Sequence, residues 1–242
     1  MKKFKLIRAA AAKRKGGEGP MAKLLSPSKS TAKLAAISDD RYLAQITRCV
    51  FNAGFHWRVI IAKCDGLEEA FHQFDLGQLL TKSPDEWEAY LEDTRVIRNW
   101  QKIQTVFHNA AMIDEIAQEH GSFATFFADW PSSDQVGLMK YLHKNGSRLG
   151  GKTAQWFIRF SGKDGFILTG DVIAALIANG LDINENASSQ RDLKKIQDAF
   201  NEWHQDTQLP YAHISKILSY SVGDNVPVDV LDGYQGSQTV TG

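Results

Sequence analysis

Apolar residues recur three to four positions apart along most of the chain. No stretch alternates at the period of two that a half-buried strand requires. The run DRYLAQITRCVFNA is representative, with Tyr42, Leu43, Ile46, Val50 and Phe51 at helical spacing. Polar residues mark where such runs start. Ser38, Asp39 and Asp40 are N-cap candidates for that run, and Ser83-Pro84-Asp85-Glu86 sets a serine cap, a first-turn proline and two acids ahead of another. The longest helical pattern runs from Thr94 to a stop at Gly121 and places Arg95, Arg98 and Lys102 on one face, read as solvated, with phosphate contact as the alternative. After it come SFATFFADW, SDQVGLMKYLHKN, KTAQWFIRF, TGDVIAALIANG, SQRDLKKIQDAFNEWHQDT and YAHISKILSYS, all read as helices. Phe123, Phe126, Phe127 and Trp130 are expected in a core. The predicted fold class is all-α, with one large domain or two lobes in 242 residues.

Composition narrows the function. No apolar run reaches the ~18 residues of a membrane span, and the basic start lacks the apolar centre of a signal peptide. Two cysteines, Cys49 and Cys64, and seven scattered histidines give no zinc-ligand spacing. A soluble, cytoplasmic, reduced protein is expected. The chain is neutral overall, yet residues 1–37 hold ten Lys/Arg against one acid, Glu18. That asymmetry predicts a partly ordered basic arm over 1–37, a helical domain over 38–221 and a flexible tail over 222–242. A basic arm on an acidic body suits nucleic-acid phosphates, and a solvated tail is the other reading.

Candidate chemistry concentrates in Leu149–Val172. Adjacent glycines, Gly150 and Gly151, precede a helical run, and a carboxylate, Asp171, follows about one helix length later. Glycines let backbone approach a ligand, and the N–H groups opening a helix favour an anion. Asp171 is alternatively the N-cap of the helix it precedes. Asp164 is a neighbouring candidate, although its KDG context reads as a turn.

The order of TRCVFNAGFHW, FHQFD, DTRVIRNWQKIQTVFHNA and RLGGKTAQWFIRFSGKDGFILTGDV resembles DNA-3-methyladenine glycosylase I, of the helix-hairpin-helix DNA glycosylase superfamily. The resemblance spans roughly residues 38–220. It implies a two-lobed fold, with a hairpin near 146–154, that bends duplex DNA, flips out an alkylated purine and hydrolyses its glycosidic bond. Arg148, Gly150, Gly151, Lys152, Thr153 and Ala154 then fall on the phosphate-binding hairpin, with Arg148 where many hairpins carry glycine. A monovalent cation on hairpin carbonyls is a candidate there, as in relatives. Phe55 matches the wedge and Trp57 the pocket tryptophan, with His56 between them. Asp171 matches the catalytic aspartate. Lys152 stands where backbone-cutting relatives carry a nucleophilic lysine, whereas the methyladenine branch is monofunctional. Three departures follow: Cys49 stands where the bacterial form carries its base-recognising glutamate, the terminal zinc ligands of that form are missing, and its N-terminal pocket tyrosine has no match unless Tyr42 serves. No zinc and no required cofactor are expected, with a monomer acting on alkylated duplex DNA. A non-catalytic DNA-binding protein of the same fold and an enzyme acting on free nucleosides are the alternatives.

Overall fold

In a computed structural model the chain is described over residues 1–54 and 57–227, apart from the side chains of Trp57 and Val59. Among the described residues all regular structure is helical. In order the α-helices are α1 (Phe4–Arg14), α2 (Glu18–Lys23), α3 (Thr31–Ala35), α4 (Asp39–Asn52), α5 (Trp57–Ile61), α6 (Cys64–Ala70), α7 (Leu76–Leu80), α8 (Pro84–Glu88), α9 (Trp100–His120), α10 (Phe123–Asp129), α11 (Gln135–Asn145), α12 (Gly151–Phe160), α13 (Gly170–Ala178), α14 (Gln190–Thr207) and α15 (Tyr211–Ser221). The chain divides into two compact units. The first combines Met1–Lys29, Pro131–Gly137 and the chain from Ile158 onward; the second combines Ser30–Trp130 with Leu138–Phe157.

The second unit is organised around α4 and α9. The apolar face of α4 buries Tyr42, Leu43, Ile46, Val50 and Phe51, as its spacing predicts. Tyr42 meets the rings of Phe123 and Phe127 edge-on at 5.3 and 5.2 Å, and its hydroxyl donates to Leu34 O at 2.8 Å. Tyr42 is therefore a core residue, with burial pushing its phenol well above the ordinary range. The Asp39 carboxylate accepts the N–H groups of Phe123 and Ala124 at 3.0 and 2.9 Å, so an acid in the first turn of α4 also satisfies the start of α10. Helix α9 begins at Trp100, capped by Asn99, rather than at Thr94. Arg95 and Arg98 consequently precede the helix, and Lys102 is buried rather than solvated.

The first unit buries Phe4, Ile7, Ala11, Met21, Phe166, Phe200 and Trp203 in one cluster. Phe166 stacks on Phe200 at 4.4 Å, Phe4 meets Trp203 at 5.4 Å, and α1 and α13 both pack on α15. Residues 1–37, expected as a partly ordered basic arm, thus carry three helices and supply core side chains. The physical reason is amphipathicity. Phe4, Ile7 and Ala11 recur at i, i+3 and i+7 on the buried face of α1, while Lys5 is exposed. Counting charge registers only the outer face.

Candidate phosphate-binding hairpin and catalytic carboxylate

The hairpin lies wholly in the second unit. Asn109, in the middle of α9, clamps it: its Oδ1 accepts the Ser147 N–H at 2.8 Å, and its Nδ2 donates to Ser147 O at 3.1 Å. The next residue, Arg148, takes φ +58, the left-handed conformation that a glycine would adopt most cheaply. That fits its place where hairpins commonly carry glycine. Its guanidinium donates to Gln101 Oε1 at 2.6 Å, so in this state it is tied to α9. Leu149 is fully buried and anchors the turn. A methyl group on Gly150 would stand 2.8 Å from His143 Nδ1, and Gly151 takes φ +53 as it opens α12, so neither position accepts a side chain without a shift. Thr153 N–H closes back on Gly150 O at 3.1 Å, Lys152 is exposed and Ala154 is buried. The arrangement presents a glycine-lined helix start with an adjacent ammonium. The N–H groups of Gly151 and Lys152 open the helix ahead of the Thr153 bond, which is chemistry suited to a backbone phosphate. Asn109 went unselected in the sequence, although it sits within the VFHNA segment that carries part of the resemblance.

The predicted base-recognition stretch is partly visible. Phe55, His56 and the Trp57 side chain lie outside the described residues. What precedes them is held from below. Lys102 Nζ donates to Phe51 O at 2.6 Å and Ala53 O at 2.7 Å, satisfying carbonyls at the C-terminal end of α4. Desolvation lowers the Lys102 ammonium from its ordinary value, and Arg148 adds to the effect. Cys49 is buried, and burial pushes its thiol up to about 12; the hydrogen bond from Gln45 and the charge of Arg48 only partly oppose this. At neutral pH the side chain is therefore a neutral thiol and offers no carboxylate-like acceptor. The preceding residue, Arg48, binds Glu68 Oε1 at 2.8 Å, and Arg41 binds the same oxygen at 2.9 Å. This half-buried charge cluster left no signal in the spacing of the sequence.

Asp171 lies in the first unit, in the first turn of α13. The cap of that helix is Thr169, whose Oγ1 accepts Val172 N–H at 3.3 Å, so Asp171 is not spent on capping. Among the described residues its carboxylate accepts no hydrogen bond and forms no ion pair, and the residue is exposed. Asp164 contrasts with it. Its two oxygens accept Ala212 N–H at 2.9 Å and Tyr211 N–H at 3.1 Å, capping α15. Among the described residues no group of three His, Cys, Asp or Glu side chains is placed to hold a metal ion.

The architecture defines a class. The 8-oxoguanine DNA glycosylase of Methanocaldococcus jannaschii matches with a TM-score of 0.55 at 16% identity, over 90% of this chain and 93% of that one, and the shared fold is the helix-hairpin-helix glycosylase fold. A methyladenine glycosylase family model matches residues 35–174, more than half of the sequence, and the chain belongs to that family; it is a DNA glycosylase. A structure of 3-methyladenine DNA glycosylase I matches at 25% identity and a TM-score of 0.45, over 52% of this chain and 79% of that one. The Staphylococcus aureus enzyme of that name matches at 19% identity and a TM-score of 0.46, over 52% and 77%. No curated protein matches the sequence.

Proposed function

We propose that the protein is a monofunctional, monomeric glycosylase that releases alkylated purines, 3-methyladenine among them, from duplex DNA by hydrolysis, with Asp171 as the catalytic carboxylate. The observation that carries the reading is the contrast between the two aspartates. Asp164 is committed to capping α15, whereas Asp171 stands exposed and unspent at the start of α13.

The chemistry follows from the substrate. An N3- or N7-alkylated purine is already cationic, so it departs as a neutral base and needs little acid catalysis. Its departure leaves positive charge on the deoxyribose. A carboxylate beside C1′ stabilises that charge and orients the attacking water, whose oxygen bonds to C1′ while its proton passes to solvent. The base must first leave the stack, which an alkylated base does at lower cost. Phe55 fills the gap and Trp57 stacks on the flipped base, as the family motif implies. The Gly150–Ala154 backbone, with Lys152 beside it, holds a DNA phosphate. Lys152 acts there as a charge rather than as a nucleophile. A neutral Cys49 in place of an acidic acceptor favours recognition of purines by stacking and shape, and so a broader range than 3-methyladenine alone. The reaction requires no cofactor. A monovalent cation on hairpin carbonyls would add only to phosphate binding, and the carbonyls of Ser147 and Gly150 already accept hydrogen bonds.

Base release from methylated duplex DNA tests the reading. The expected result is free methylated purine, an intact DNA backbone until alkali is added, and a loss of at least 100-fold in Asp171→Asn, on the order reported for removing one electrostatic stabiliser. An Asp171→Asn protein as active as wild type removes Asp171 from the mechanism.

A further inference from the structure

Two segments outside the family match converge on Asp171 within the first unit. After α15 the chain runs on past Ser221, and Arg14 and Lys15, at the end of α1, hold it in place. Arg14 Nε donates to Tyr220 O at 2.9 Å, and its Nη2 donates to Val222 O at 3.1 Å and Gly223 O at 2.5 Å. Lys15 Nζ donates to Val226 O at 2.7 Å and to Asn225 Oδ1 at 3.2 Å, and it stands 5.2 Å from the centre of the Tyr220 ring. Although it belongs to the basic N-terminal run, Lys15 is only 4% exposed, so its charge is committed to this strap rather than to solvent.

Gly223 sits at the centre of the strap with φ +66. The face that would carry its side chain points at the Asp171 carboxylate: a methyl group there would lie 2.7 Å from Oδ1 and 3.1 Å from Cγ. The positive φ favours glycine, and a side chain there would push the carboxylate aside. Among the described residues no hydrogen bond or ion pair orients that carboxylate. An exposed aspartate turning freely about two torsions spends part of its time misdirected, and a displacement of about 1 Å can cost on the order of 100-fold in rate. The Gly223 backbone is the wall that removes part of this freedom.

We propose that Gly223, held by Arg14 and Lys15, is a positioning residue that fixes the direction of the Asp171 carboxylate during glycosidic hydrolysis. The inference rests on the assignment of Asp171 as the catalytic group. It gives the chain's basic N-terminal helix a task in catalysis that is separate from phosphate attraction.

The test is single-turnover base release from methylated duplex DNA by the full-length chain. Gly223→Ala is expected to lower the rate about tenfold or more, with the concentration of DNA at half-saturation and the melting temperature unchanged. Arg14→Gln, which removes three of the strap's bonds, is expected to slow the step in the same way, and adding Gly223→Ala to it to cost little more. In an Asp171→Asn background Gly223→Ala is expected to change nothing. A wild-type rate in Gly223→Ala overturns the proposal, as does an effect confined to DNA affinity or one that persists undiminished in Asp171→Asn. Should Gly223→Ala fail to fold, deletion of residues 222–242 asks the same question. A fully active Asp171→Asn protein brings down the catalytic assignment itself, whereas an inactive one beside an unaffected Gly223→Ala brings down only the strap.

Discussion

Lys102 shows how far a single residue's role departs from its class. Its position four and seven residues beyond two arginines suggests a solvated basic stripe, yet it is 4% exposed and spends its charge on two carbonyls at the C-terminal end of α4. Replacement by methionine keeps the stem and removes the donors. The Phe51 and Ala53 carbonyls then lose charged partners in a buried setting, and Lys102→Met is expected to cost about 2 kcal/mol, read as a shifted urea midpoint. The place of Asp171 at a helix start was legible in the sequence, because TGDVIAALIANG reads as a helix. Its freedom from capping was not legible, since Thr169 and Asp171 both have side chains suited to that place and only the fold selects Thr169. Cys49 was legible as a departure. Its consequence, a thiol held neutral, depends on burial that spacing does not reveal.

Among the elements, the helices that begin with a strong cap were legible where they fall. The Ser83–Glu86 capping box forms as its residues predict. The start of α9 was not, because apolar spacing continues upstream of Asn99 and only the asparagine side chain, accepting Lys102 N–H at 3.2 Å, ends the ambiguity. Helix α15 carries a pH-dependent consequence. Burial, with the Arg159 charge adding to it, pushes the Lys216 ammonium down to about 8 from an ordinary 10.5, while its Nζ donates to Leu24 O at 2.9 Å. Between those values the unfolded chain retains a proton that the folded chain has released, so stability rises with pH across that interval. Urea midpoints compared between pH 8 and 10 are expected to rise in wild type relative to Lys216→Met, which lacks the group. Equal slopes in the two proteins would mean that Lys216 is as well solvated folded as unfolded.

At the scale of the molecule, the first unit is assembled from pieces far apart in sequence, and residues 1–29 are one of them. Phe4, Ile7 and Met21 lie in its core, each within 3% of full burial, and burying such side chains is worth about 1.5–3 kcal/mol apiece. Deleting residues 1–25 is therefore expected to remove roughly 5 kcal/mol or more, comparable with the whole stability of an ordinary domain. Thermal melts followed by circular dichroism would show a lost transition, whereas removal of a merely electrostatic arm would leave melting unchanged and weaken only DNA binding. The division into units also orders events during synthesis. The second unit is nearly continuous in sequence and is complete once Phe157 has emerged from the ribosome. The first unit cannot close until α13, α14 and α15 have followed. For several seconds of synthesis, α1 lacks the faces of α14 and α15 on which it packs, and the hairpin exists before α13 does. A nascent chain of this protein therefore passes through a stage in which one unit can be folded while the helix that carries Asp171 has yet to be made.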